Sequence, residues 1–181
     1  MKSLSNILLA INLVVVPSFC FGAKVENVNQ TQASNFGIFD PNNNNSGSGG
    51  TILTNSCSTT GSIKILSSCS NATFLITGEN NNKGGNTNRI RVRILNASNA
   101  IKNSANNSMN VSFSLKPSSN DTDETFNLSG SKGESGSVVV TVYGRIEASA
   151  YQASGLYDKN STGGSSMYTL VACDDSEKCD G

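Results

Sequence analysis

Apolar and charged residues alternate without a break along Arg89-Ile90-Arg91-Val92-Arg93-Ile94-Leu95. Successive side chains of a strand point to opposite faces, so Ile90, Val92 and Ile94 face one way and the three arginines the other. On a helix the same residues would scatter around the axis and leave no apolar stripe. The segment predicts one strand of an antiparallel sheet with a solvated side.

The pattern recurs along the chain. Residues 110–116 place Val111, Phe113 and Leu115 inward, and Pro117 ends the run. Residues 72–77 put Phe74 and Ile76 on one face. The longest run is 137–147: Val138, Val140, Val142 and Ile146 share a face, and Val139, Thr141 and Tyr143 share the other. Gly144 inside it predicts a bulge or a bend. Further strands are predicted at 51–54, 61–66, 125–129 and 166–173. Asn/Gly/Ser-rich loops separate them at 42–50 and 79–88. Residues 97–105 make at most one turn of helix. About eight short strands between turn signals predict an all-β antiparallel sandwich or barrel.

The N-terminal segment breaks the pattern. Lys2, an apolar run from Ile7 to Val16 and the small residues around Cys20-Phe21-Gly22 make the three-part layout of a secretory signal peptide, with cleavage after Gly22. The run is too short for a transmembrane helix. Phe19 is too bulky to make Cys20 a good lipidation site. The expected organisation is residues 1–22 as signal peptide, 23–34 as a flexible extension, 35–173 as the domain and 174–181 as an acidic tail. The mature protein is expected to be exported, to the periplasm, cell surface or medium, with no membrane span. In the extension, Val25 and Val28 fall on opposite faces of a regular strand, which makes it a poor strand to donate to another chain.

Export changes the reading of the cysteines. Without Cys20, four remain: Cys57, Cys69, Cys173 and Cys179. An even number in an exported chain predicts two disulfides, and the local pairs Cys57–Cys69 and Cys173–Cys179 are favoured. A four-thiolate zinc site would need C-x-x-C spacing that is absent.

Composition narrows the chemistry. The 181 residues carry 13 basic and 13 acidic side chains, so no net field draws the protein to nucleic acid. Histidine is absent, which removes imidazole bases and Ser-His or Cys-His pairs. No enzyme and no cofactor are expected. Three surface readings remain. Arg89, Arg91 and Arg93 form a row of cations that could meet an anionic ligand, set against an ordinary solvated face. Asp121, Asp123 and Glu124 crowd one turn and could offer oxygens to calcium, set against a solvated acidic turn. Tyr143, Tyr151, Tyr157 and Tyr168 could stack on sugars, set against half-buried sheet positions.

Three stretches resemble a family. Asn35-Phe36-Gly37-Ile38-Phe39-Asp40-Pro41 with Gly49-Gly50-Thr51-Ile52 is similar to the entry motif of an uncharacterised family of secreted bacterial β-sandwich proteins. That family is allied to spore-coat protein U and the archaic chaperone–usher pilins. Residues Cys69 to Gly78 resemble its next motif. Gly144-Arg145-Ile146-Glu147-Ala148 with Gly155-Leu156-Tyr157 resembles its closing one. The resemblance implies an immunoglobulin-like, pilin-type sandwich. It also implies an exported structural subunit that pairs strands with other chains: a periplasmic chaperone, an usher or other pilin-like subunits. The alternative is a stand-alone adhesin-like module that binds a glycan.

Overall fold

In the computed structural model the alternation of 89–95 becomes the centre of a three-stranded sheet. The structure describes residues 5–8 (backbone only), 23–41, 49–80, 88–117, 119–131, 133–149, 151–153, 155, 157–158, 167–174 and 179. Fourteen strands occur among them and no helix, so the protein is all-β. In chain order they are β1 (Ser5–Leu8), β2 (Lys24–Gln32), β3 (Asn35–Asp40), β4 (Gly50–Leu53), β5 (Ser58–Thr59), β6 (Lys64–Ile65), β7 (Ala72–Glu79), β8 (Arg89–Leu95), β9 (Ala100–Asn103), β10 (Ser108–Ser114), β11 (Asp123–Asn127), β12 (Ser135–Ala148), β13 (Tyr157–Asp158) and β14 (Thr169–Asp174). The excess over eight comes from the two-residue β5 and β13, and from β1, β2, β3 and β9; of the strand predicted over 61–66 only β6 forms. Residues 100–103, expected as irregular chain or a helical turn, are strand β9.

Every pairing is antiparallel. β8 lies between β11 and β14, and β3 lies between β1 and β6. The largest sheet runs β13-β9-β10-β12-β4-β5, with β7 and then β2 also attached to β12. β12 makes this possible by its length. Residues 135–142 pair with β7, while 143–147 pair with β10 and 145–148 with β4. Ile90 and Val92 of β8, Phe74 and Ile76 of β7, Val140, Val142 and Ile146 of β12, and Phe36 of β3 enter one buried core. The result is a β-sandwich. Each fully buried Ile, Val or Phe contributes roughly 1.5–3 kcal/mol.

Two expectations change on the inner faces. Gly144 makes no bulge: the register with β10 runs unbroken from Asn110↔Glu147 to Ser114↔Tyr143. The glycine is there because an added Cβ would lie 2.5 Å from Cζ of Phe36. It sits on the same inward face as Val142 and Ile146, and the Phe36 ring fills the space of its missing side chain.

The second change concerns the N-terminal extension, which is not loose. β2 pairs along β7 from Lys24↔Glu79 to Gln32↔Thr73. The register shifts between Val25 and Asn27, so Val25 opposes Gly78 and Val28 opposes Ile76. The extra residue, Glu26, turns a spacing of three into an effective spacing of two. Both valines therefore face the core: Val28 is buried and Val25 packs against it.

The two expected disulfides are present, Cys57–Cys69 and Cys173–Cys179, with Cα–Cα distances of 5.5 and 5.7 Å. The second bridge joins Cys179, itself buried, to β14. Asp174, assigned to the tail from the sequence, is a buried residue at the end of that strand. The signal-peptide reading of 1–22 falls outside the described residues except for the backbone of β1. No described helix is long and apolar enough to cross a membrane.

Candidate functional site

The arginine row lies on the outer face of β8, and the neighbouring strand answers it with a carboxylate. Arg91 donates Nε to Oδ1 of Asp123 at 2.7 Å and Nη2 to Oδ2 at 2.5 Å. Arg93 brings its own Nε to 3.3 Å from the same Oδ2, and its Nη1 donates to the carbonyl of Cys179 at 2.9 Å. The β11–β8 register sets this up by placing Asp123 opposite Arg93. Hydrogen bonding from Arg91, reinforced by the charges of Arg91 and Arg93, holds the Asp123 carboxyl below the usual carboxylate range. Arg91 and Arg93 thus cross-link β8 to β11 and to the C-terminal segment. Of the row, Arg89 is the exposed member.

The acidic turn is divided in the same way. Asp123 belongs to the arginines, while Lys116 reaches Asp121 at 3.5 Å and Glu124 more closely. The Glu124 hydrogen bond raises the Lys116 pKa. Among the described residues no group of three or more His, Cys, Asp or Glu side chains could hold a metal ion.

The four tyrosines do not gather. Tyr157 and Tyr168 are fully buried, and Tyr151 is exposed. The Tyr157 hydroxyl donates to the Ala153 carbonyl at 2.8 Å. Burial pushes the Tyr168 phenol pKa up, and its ring packs on Phe113 at 4.7 Å between centroids. Tyr143 lines a cleft.

That cleft, of about 490 Å³, runs over the outer face of β12. Tyr143, Gly144 and Arg145 make its floor. Asn55, Ser56 and Ser58 bound it on one side, and Ser112, Ser114, Pro117, Ser119 and Asn120 on the other. A shallower depression of about 310 Å³ continues along β10 and β12, sharing Ser112 and Arg145 and adding Asn99, Asn110 and Glu147. The sequence signal for it was faint: outward positions of strands, occupied by Ser and Asn, look like any solvated face.

A second feature is an edge. One side of β3 is bound by β6, by the Asn35↔Ser70 bridge and by Ser67, whose Oγ accepts from the Ile38 amide at 2.7 Å. The other side is paired with β1, from Ser5↔Phe39 to Leu8↔Asn35. β1 also approaches β13, the edge strand of the large sheet, within 8 Å between Cα atoms.

No protein-family model matches this chain, and no curated protein matches it.

Proposed function

We propose that the protein is an exported structural subunit of pilin-like type, with an immunoglobulin-like sandwich, that works at the cell surface by accepting a β-strand from another chain. The observation that carries this reading is the β1–β3 pairing. β1 lies in the segment read as a signal peptide. Cleavage after Gly22 would remove it and open the β3 edge from Asn35 to Phe39, next to the β13 edge. An open edge presents unpaired N–H and C=O groups, the template for strand addition. The two disulfides suit an oxidising compartment.

The partner is a chaperone or another subunit rather than a second copy of this chain. The N-terminal strand that a subunit would donate is already committed to β7, with Val28 buried. A chain that accepts a strand and keeps its own belongs at an end of an assembly.

The test is thermal unfolding and amide exchange of residues 23–181, with and without a synthetic peptide spanning residues 4–11. Fast exchange along Asn35–Phe39 that slows on adding peptide, with a rise in midpoint, is the expected result. A high midpoint and slow edge exchange, both indifferent to peptide, would reject the strand-acceptor reading.

A further inference from the structure

We infer that the cleft over β12 is a carbohydrate-binding site, with a hexose-sized main subsite at Tyr143 and Arg145 and a continuation toward Glu147 for a second sugar. The inference is independent of the strand-acceptor reading, since no lining residue belongs to β1, β3 or β13.

Size comes first. The main cleft, at about 490 Å³, falls within the roughly 300–1,000 Å³ typical of small-molecule sites. The stretch of β12 from Tyr143 to Glu147 spans roughly 13 Å at strand rise, more than one pyranose needs.

The lining then selects the ligand class. Among the described residues no carboxylate lines the main cleft, so they offer no negative charge to a cation or an amine. The one cation among the described lining residues, Arg145, is paired with Glu147 at 3.0 Å, so it offers little to a polyanion. Leu53, Pro117 and Tyr143 supply the apolar surface, too little for a lipid chain. What remains is a set of hydroxyls and amides from Ser and Asn, groups that both donate and accept, as sugar hydroxyls require. Tyr143 adds an aromatic face with a polar tip. In the continuation, Asn110 and Glu147 are opposed across the β10–β12 ladder. They bring an amide and a carboxylate oxygen within reach of the same ligand.

The site is also held in shape. On the floor, the Gly144 amide donates to Thr54 Oγ1 at 2.7 Å, and the Thr54 amide donates to the Gly144 carbonyl at 3.0 Å. Thr54 Oγ1 donates in turn to Asn71 at 2.6 Å. On the wall, Ser56 Oγ lies 2.7 Å from Ser58 Oγ and 3.1 Å from Asn55 Oδ1. Between Ser56 and Ser58 stands Cys57, anchored to Cys69. Preorganised polar groups lose less conformational freedom on binding.

The experiment is saturation-transfer NMR of the oxidised full-length mature chain with a panel of free hexoses, N-acetylhexosamines and their neutral disaccharides, and with a heparin fragment as the polyanion arm. At least one neutral saccharide should show transfer, with a disaccharide binding more tightly than its monosaccharide. Tyr143→Ala and Ser112→Val should each weaken that binding tenfold or more. Ser112 is exposed on β10 and its replacement is a good strand former, so this variant should keep the wild-type melting curve. Three outcomes would overturn the inference: no transfer to any neutral saccharide, binding confined to the heparin fragment, or wild-type affinity retained in both variants.

Discussion

Phe36 occupies the space that a side chain at Gly144 would need, with Cζ 2.5 Å from where a Cβ would stand. The contact joins β3 to the middle of β12 and fixes how the two pack. Gly144→Ala should therefore destabilise by about 1–3 kcal/mol through overpacking, although the alanine backbone itself is unstrained there. Because the two residues touch, the effects should couple. Phe36→Leu should cost less in the Gly144→Ala background than in wild type. Denaturant unfolding of the four proteins of this cycle measures the coupling, and strict additivity would show that the ring can simply move aside.

The bulge in β2 gives a second prediction. Deleting Glu26 leaves Val25 and Val28 two positions apart, so both should still face the core on a regular ladder. Stability should stay within about 0.5 kcal/mol of wild type. Val28→Ala removes two buried methylene equivalents and should cost about 2 kcal/mol. Equal and negligible effects of both changes on the unfolding midpoint would mean that β2 is not part of the sandwich in solution.

Asp123 supplies a pH dependence. Its folded pKa is lowered by Arg91 and Arg93. The stabilisation is therefore present above the unfolded carboxylate value of about 3.9 and is lost as pH falls through the folded pKa. The side chain is 33% exposed, so the stabilisation is screened and should not exceed about 1 kcal/mol. Asp123→Asn should be less stable than wild type at pH 7. The gap should close below about pH 4 and shrink in 1 M salt. A gap that persists unchanged at low pH would assign the effect to packing rather than charge.

The Cys57–Cys69 bridge, with a sequence separation of 12, should stabilise by roughly 3 kcal/mol on the chain-entropy model. Cys57→Ser with Cys69→Ser should lower the unfolding midpoint accordingly. It should also weaken saccharide binding in the same protein, because the Asn55–Ser58 wall loses its anchor. A lowered midpoint with unchanged binding would show that the wall is held by its own hydrogen bonds.

What the sequence by itself determined is local. Alternation over 89–95 is readable because one face of β8 meets the core and the other does not, and period two admits no helical alternative. The same holds for β7, β10 and β12. Cysteines six and twelve residues apart read as clips because short loops bring their ends together. Tertiary structure decided the rest, wherever the reason for a residue lies in a distant one. Gly144 read as a bulge or a bend, and its packing role was hidden, because nothing near it in sequence shows the Phe36 ring. Val25 and Val28 read as a poor strand because a bulge is visible only against the partner β7. The sequence left the arginine row open between a ligand face and a solvated one, because Asp123, which engages two of its members, arrives on β11 through a register set by the whole sheet. The cleft over β12 draws its walls from β4, β5, β10 and the following loop, polar residues that carry no signal until the strands bring them together.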